Sequence, residues 1–177
     1  RRGSSLYPKQ DLMSERERER ADKGKIAVLI ADSYRVSSEE LRHLLTKSPT
    51  CQLVGLATNC NEILEMSKKL NPHVCLLNLS SMSGMAWPEL VSSLINAVPT
   101  TRPICVGTPL DLPTLQQMLH AGIWGHIQPF SPLKHILKAI TAVHRGELWV
   151  ERKNMEALLH DGSSPINVFE QLTNREL

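Results

Sequence analysis

The sequence predicts an α/β protein: a doubly wound, five-stranded parallel sheet in the order 2-1-3-4-5, with an extra helix at its C-terminal end. Three observations predict it. Short apolar runs of strand length alternate with segments whose apolar residues recur at helical spacing. The helical segments open on capping residues and close on Gly or Pro. The third apolar run, Val74 to Leu77, ends at the polar Asn78 and a loop rich in Ser and Gly. A strand buried on both faces has that texture, and the crevice beyond the carboxyl ends of such strands is where function sits.

The elements follow in order. Ile26-Ala-Val-Leu-Ile-Ala31 is a buried strand ending at Asp32. Ser37-Ser-Glu-Glu40 reads as a capping box, ahead of Leu41, Leu44 and Leu45 at helical spacing. Residues 53–57 form the second strand, and Asn59-Cys-Asn-Glu62 caps a helix carried by Ile63, Leu64, Met66 and Leu70. Pro72 stops that helix before the third strand. Leu90, Leu94 and Ile95 mark the third helix, and Ile104-Cys-Val106 the fourth strand. Asp111 or Thr114 opens the fourth helix, with Leu115, Met118 and Leu119 inward and Gly122 as terminator. Residues 124–128 form a short fifth strand. Ser131-Pro132 reads as an N-cap and a first-turn proline, with Leu133, Ile136, Leu137, Ile140 and Val143 inward up to Gly146. Five such units fit a flavodoxin-like order.

The flanks are different in texture. Residues 1–24 read as an expression remnant up to Leu12 and then a charge-balanced, solvated leader, with Met13-Ser14 as a natural start. Residues 25–146 make the α/β domain. Residues 147–161 read as one more helix, led by Trp149, and 162–171 as a linker. Residues 172–177 carry a second capping box, Thr173 to Glu176, which is expected to open a further domain.

Composition narrows the function classes. With 41% hydrophobic and 21% charged residues the chain is ordinary for a soluble domain, and a net charge of +2 is too small to make a nucleic-acid surface of it. No apolar run approaches the ~18 residues of a membrane span, so no membrane association and a bacterial cytoplasmic location are expected. Cys51, Cys60, Cys75 and Cys105 have no metal-like spacing and read as reduced packing residues. His120, His126, His135 and His144 lie on different elements, so no metal site is expected.

At this point a resemblance becomes specific. Val28-Leu-Ile-Ala-Asp32, Ala121-Gly122, Gln128-Pro129-Phe130 and His144-Arg-Gly-Glu-Leu-Trp149 resemble the receiver domain of a bacterial response regulator. The subgroup resembled is NarL/FixJ, whose LuxR-type helix-turn-helix opens on Leu-Thr-x-Arg-Glu, as in Leu172-Thr-Asn-Arg-Glu-Leu177. The resemblance implies a CheY-like fold, two-component phosphorelay signalling, and DNA binding for transcription regulation through a domain beyond Leu177.

It also implies a phospho-acceptor pocket, and there the chain departs. The family places an aspartate where Asn78 stands, and an amide is not a competent nucleophile. Asp32 keeps one of two metal-holding acids and Ser33 replaces the other. Thr108 matches the hydroxyl position, with Gly107 an equally good alignment, and Gln128 replaces the lysine. One such change is a common laboratory substitution; three independent losses of charge are not. Asp32 alone offers too few hard oxygens for Mg²⁺, a cation that dehydrates reluctantly. The expectation is a degenerate pocket with no cofactor and no catalysis.

In the bland reading Asp32 is satisfied by nearby backbone N–H groups and Asn78, with Ser80 and Ser81, ties loops together; in the sharp one they line a pocket for a small ligand. His126 takes the place of an aromatic that swings on activation in the family, which a pH-sensitive switch would exploit. Gln128-Pro129 matches a bond usually cis in the family. Three functional classes stay open: a phosphorylation-independent regulator acting as a homodimer, a small-molecule or partner-protein sensor, and a phospho-accepting regulator with a divergent site. The expected dimer face draws on Leu115, Trp124 and His126, or on Ile140 and Trp149.

Overall fold

The structure is a computed structural model that describes residues 24–107, 110–128 and 131–160. The leader, Thr108, Pro129, the linker and the Thr173–Glu176 box all lie outside the described residues.

Five strands, β1 (Ile26–Ala31), β2 (Cys51–Ala57), β3 (Val74–Leu77), β4 (Arg102–Val106) and β5 (Gly125–Ile127), form one sheet. Every neighbouring pair is parallel and the order is β2-β1-β3-β4-β5, as the strand–helix alternation predicts. The connecting helices are α1 (Arg35–Lys47), α2 (Cys60–Leu70), α3 (Trp87–Ala97), α4 (Leu112–Ala121) and α5 (Leu133–His144), followed by α6 (Arg152–His160).

Alternation along each strand divides the core in two. Val28, Ile30, Val74, Leu76 and Ile104 face Leu41 and Leu45 of α1 and Ile136, Ile140 and Val143 of α5. Leu29, Ala31, Cys75, Leu77 and Cys105 face Ile63 of α2, Leu90, Val91 and Leu94 of α3, and Met118 of α4. Covering both faces is what makes the β1 and β3 sequences apolar at successive positions. Each of these large side chains contributes about 1.5–3 kcal/mol by leaving water. No helix among the described residues is long and apolar enough to cross a membrane.

Two caps match the sequence reading. Asn59 Oδ1 accepts from Glu62 N at 3.0 Å, while Glu62 Oε2 reaches back to Thr58 N at 2.7 Å. Asp111 Oδ1 accepts from Thr114 N at 2.8 Å, which makes Asp111 rather than Thr114 the start of α4. Those bonds hold both carboxyl groups below their ordinary range: first the backbone bond from Thr58 for Glu62, first the Thr114 hydroxyl for Asp111.

Three expectations are corrected. The helix expected to open at the Ser37 box begins at Arg35, because Asp32 Oδ1 accepts from Tyr34 N at 2.9 Å and turns the chain two residues earlier. The last helix of the domain begins at Leu133 with Pro132 as its N-cap, not Ser131; Pro132 O accepts from His135 N at 2.7 Å. Leu133 is therefore exposed, and the buried stripe is Ile136, Ala139, Ile140 and Val143.

The third correction concerns residues 147–161, expected as a single helix. Residues 148–150 instead form an extended strap along β5, and α6 starts only at Arg152. Trp149 N donates to Trp124 O at 3.1 Å and His126 N donates to Trp149 O at 2.9 Å. The strap satisfies backbone groups on the open edge of β5 that a helix would leave unpaired. Gly125 permits the approach: a Cβ there would lie 2.8 Å from Trp149 O.

Candidate functional site

β1 and β3 are hydrogen-bonded neighbours in register, Ala31 beside Leu77. The residues that follow them, Asp32 and Asn78, therefore emerge side by side, fixed by Asp32 N to Ala57 O at 3.0 Å and Asn78 N to Ala31 O at 2.9 Å. This pair is the centre of the site.

Asp32 is buried, 6% exposed, and a buried carboxylate needs partners. Its Oδ1 receives three donors: Tyr34 N at 2.9 Å, Ser81 Oγ at 2.9 Å and Asn78 Nδ2 at 3.2 Å. On the other side of the amide, Ser80 Oγ donates to Asn78 Oδ1 at 2.7 Å. Both ends of Asn78 are thus engaged, and it links the β1 and β3 loops as the sequence suggested.

Ser81 is the hub that the sequence reading underweighted. Its hydroxyl proton is shared between Asp32 Oδ1 at 2.9 Å and Asn78 O at 3.1 Å, while its oxygen accepts from Ser33 N at 3.1 Å. Ser33 Oγ donates in turn to Ser81 O at 2.6 Å. Ser33, expected only as a lost acid, thereby clasps the loop after β3. The Ser-rich composition of that loop was the available signal; the backbone turn that brings Ser81 back over Asn78, Ser81 N to Asn78 O at 3.1 Å, was not.

Thr108 lies outside the described residues. Gln128 follows β5, two strands from β3, and lines a separate cleft of about 290 Å³ with His126, Ser131, His135, Trp149 and Arg152. Among the described residues, no group of three or more His, Cys, Asp or Glu could hold a metal ion. Chemically the site offers hydroxyl and amide donors around one carboxylate, with an amide where a nucleophile would stand.

The residues expected to form a dimer face are mostly turned inward. Leu115 is 1% exposed, Trp124 and His126 are 4%, and Ile140 is 0%. Their apolar surface is already used by this chain's own core. Trp149 is half-buried and packs, with Leu148 and Val150, against that same core.

The four cysteines are buried, in keeping with their reading as packing residues. Burial pushes the Cys105 thiol up to about 12 and the Cys75 thiol higher still.

No protein-family model matches the chain. Among curated proteins it is similar to the response regulator GacA of Pseudomonas protegens, 24% identical over 154 residues, covering 86% of this chain and 72% of the relative. It is also similar to the transcriptional regulatory protein LiaR of Bacillus subtilis, 26% identical over 156 residues, covering 86% and 73%. Among solved structures, a LuxR-family two-component response regulator from Aurantimonas sp. superposes with a TM-score of 0.69 at 15% identity, over 77% of this chain and 97% of that one. The receiver domain of the putative response regulator NarL from Mycobacterium tuberculosis gives 0.64 at 24% identity, over 70% and 98%. A structure of two RcsB dimers bound to two parallel DNAs gives 0.67 at 20% identity, over 79% and 70%. The curated relatives are named as a response regulator and a transcriptional regulatory protein, and the fold is that of a CheY-like receiver domain.

Proposed function

We propose that this chain is the regulatory receiver part of a DNA-binding two-component regulator that works without phosphoryl transfer. The observation that carries the reading is the closed network in which Asn78 and Ser81 donate to Asp32. An amide at that position cannot attack phosphorus, and one carboxylate with three donors on Oδ1 is a poor start for a Mg²⁺ site. Output is then set by assembly. Two copies of a weak DNA reader gain effective concentration when joined, and dimers on DNA are described for the relative RcsB. The reader is the helix-turn-helix domain whose opening Leu172-Thr-Asn-Arg-Glu-Leu177 resembles. The contact is made by exposed residues around the buried Leu115 and Ile140, with His120 on α4 and Leu133 on α5 as the first candidates.

Two measurements test this. Incubation with acetyl phosphate and Mg²⁺, read by intact mass, is expected to leave the protein unchanged; a gain of one phosphoryl group lost on changing Asp32 or Asn78 defeats the first half. Sedimentation at micromolar concentration is expected to show a dimer without any phosphoryl donor. A monomer there, with and without DNA, defeats the second half.

A further inference from the structure

At the opposite end of the strands from Asn78, the last turn of α5 meets the segments that lead into β1, β3 and β4. His73, just before β3, sets its ring 4.9 Å from that of His144, the last residue of α5, at an interplanar angle of 51°. His73 Nδ1 accepts from Ala27 N at 2.9 Å, which only an imidazole unprotonated at Nδ1 can do.

The charges around His144 are basic. Arg102 on β4 donates from Nη1 to Val143 O at 3.0 Å and to His144 O at 2.7 Å, and Arg145 follows in the chain. Lys25, one residue before β1, stands at the same end of the sheet, and Glu147, the nearest acid in sequence, is exposed. Burial first, then His73, Arg102 and Arg145, hold the His144 imidazole below its ordinary range. A helix C-terminus ordinarily favours a protonated histidine, but here Arg102 already occupies the end carbonyls.

The same arginine reaches further. Its guanidinium lies 4.6 Å from the centroid of the Trp124 ring, and Trp124 O is the acceptor for Trp149 N in the strap. The end of α5, β5 and the strap into α6 are therefore linked through Arg102 and Trp124, with the two histidines beside that link.

We infer that His73 and His144, set against Arg102 and Arg145, form an acid-sensitive latch that holds the end of α5 and the strap 148–150 against the sheet when neutral and releases them when protonated. Protonation at His73 Nδ1 removes the acceptor for Ala27 N–H, and a second proton on His144 sets two cations beside two arginines. The latch goes beyond the receiver reading and does not depend on it, because it concerns the opposite end of the strands. Its stimulus is the proton.

Amide hydrogen exchange on the full chain at about pH 7.5 and about pH 5.5, corrected for intrinsic rates, tests it. The amides of Glu147, Trp149 and His126 are expected to lose measurably more protection on acidification than that of Ile104. In the double variant His73→Gln/His144→Gln that excess is expected to disappear. An excess that persists in the variant, or a uniform loss across the sheet, overturns the proposal. A second readout needs no variant: the imidazole proton resonances of His144 are expected to titrate below the ordinary value. Titration of His144 at the ordinary value overturns it equally.

Discussion

Asn78 Nδ2 donates to Asp32 Oδ1 across 3.2 Å, so an amide stands where a second carboxylate would repel the first. The substitution Asn78→Asp therefore costs more than a lost hydrogen bond. It sets a like charge beside a buried acid whose Oδ1 is already held by Tyr34 N and Ser81. The expected loss is about 1–2 kcal/mol at neutral pH, read as a lowered midpoint in urea with an unchanged slope. Phosphorylation by acetyl phosphate is not expected to return. A variant as stable as the parent that also gains a phosphoryl group would show the pocket is poised rather than closed.

Ser81→Ala removes the shared proton and the acceptor for Ser33 N at once. With Asp32 left one donor short, the expected cost is about 1–3 kcal/mol. Ser80→Ala removes one exposed bond to Asn78 Oδ1 and is expected to cost under about 0.5 kcal/mol. Equal effects from the two would mean that Ser81 is not the hub.

Gly125 and Gly107 make a controlled pair. A Cβ at Gly125 would lie 2.8 Å from Trp149 O and 3.0 Å from Trp149 Cβ, whereas one at Gly107 meets nothing within 4 Å. Gly125→Ala must push a backbone, not a flexible side-chain end, and is expected to cost about 1–3 kcal/mol and to shift the tryptophan emission of the strap. Gly107→Ala is expected to stay within about 0.5 kcal/mol of the parent. If Gly125→Ala is also silent, the strap does not lie along β5 in solution.

How much of this was legible in the sequence divides along a physical line. The sheet order, the end of β3 at Leu77 and the Asn59 and Asp111 caps follow from local pattern, because two-sided burial and capping leave their mark on neighbouring residues. The strap was not legible: residues 147–151 carry no period, and what fixes them is the bare edge of β5 across Gly125, a partner distant in sequence. The start of α1 was misplaced because the bond that sets it, Asp32 to Tyr34, belongs to the site rather than to the helix. Trp124 and Ile140 read as interface residues from their type, but type cannot tell a partner's surface from the chain's own core.

The thiols offer a test of the core that needs no substitution. All four cysteines are buried, and burial raises Cys105 to about 12 and Cys75 further. Near pH 8 the reactive thiolate form of these two is scarce, so an aromatic disulfide reagent is expected to modify almost none of the four in the folded protein and all of them in denaturant. Rapid reaction of two thiols without denaturant would mean that the α2–α3 side of the sheet opens far below global unfolding.

The pH dependence of stability carries a sign that follows from His144. Its imidazole is held below the ordinary value of 6.5 in the folded chain, by burial first and by His73, Arg102 and Arg145 after it. The unfolded chain therefore binds more protons than the folded one between the two values, and stability rises with pH across that window. On acidification stability is expected to fall as pH passes 6.5 and to stop falling from this cause below the folded value. A group paired with a carboxylate would do the reverse, gaining stability in acid, so the sign separates the two environments without any knowledge of magnitude. His144→Gln keeps a hydrogen-bonding side chain on an exposed position but cannot take up a proton, and is expected to flatten the slope between about pH 5 and about pH 7. Urea midpoints measured across that range for parent and variant decide it: parallel curves would show that the acid sensitivity lies elsewhere in the chain.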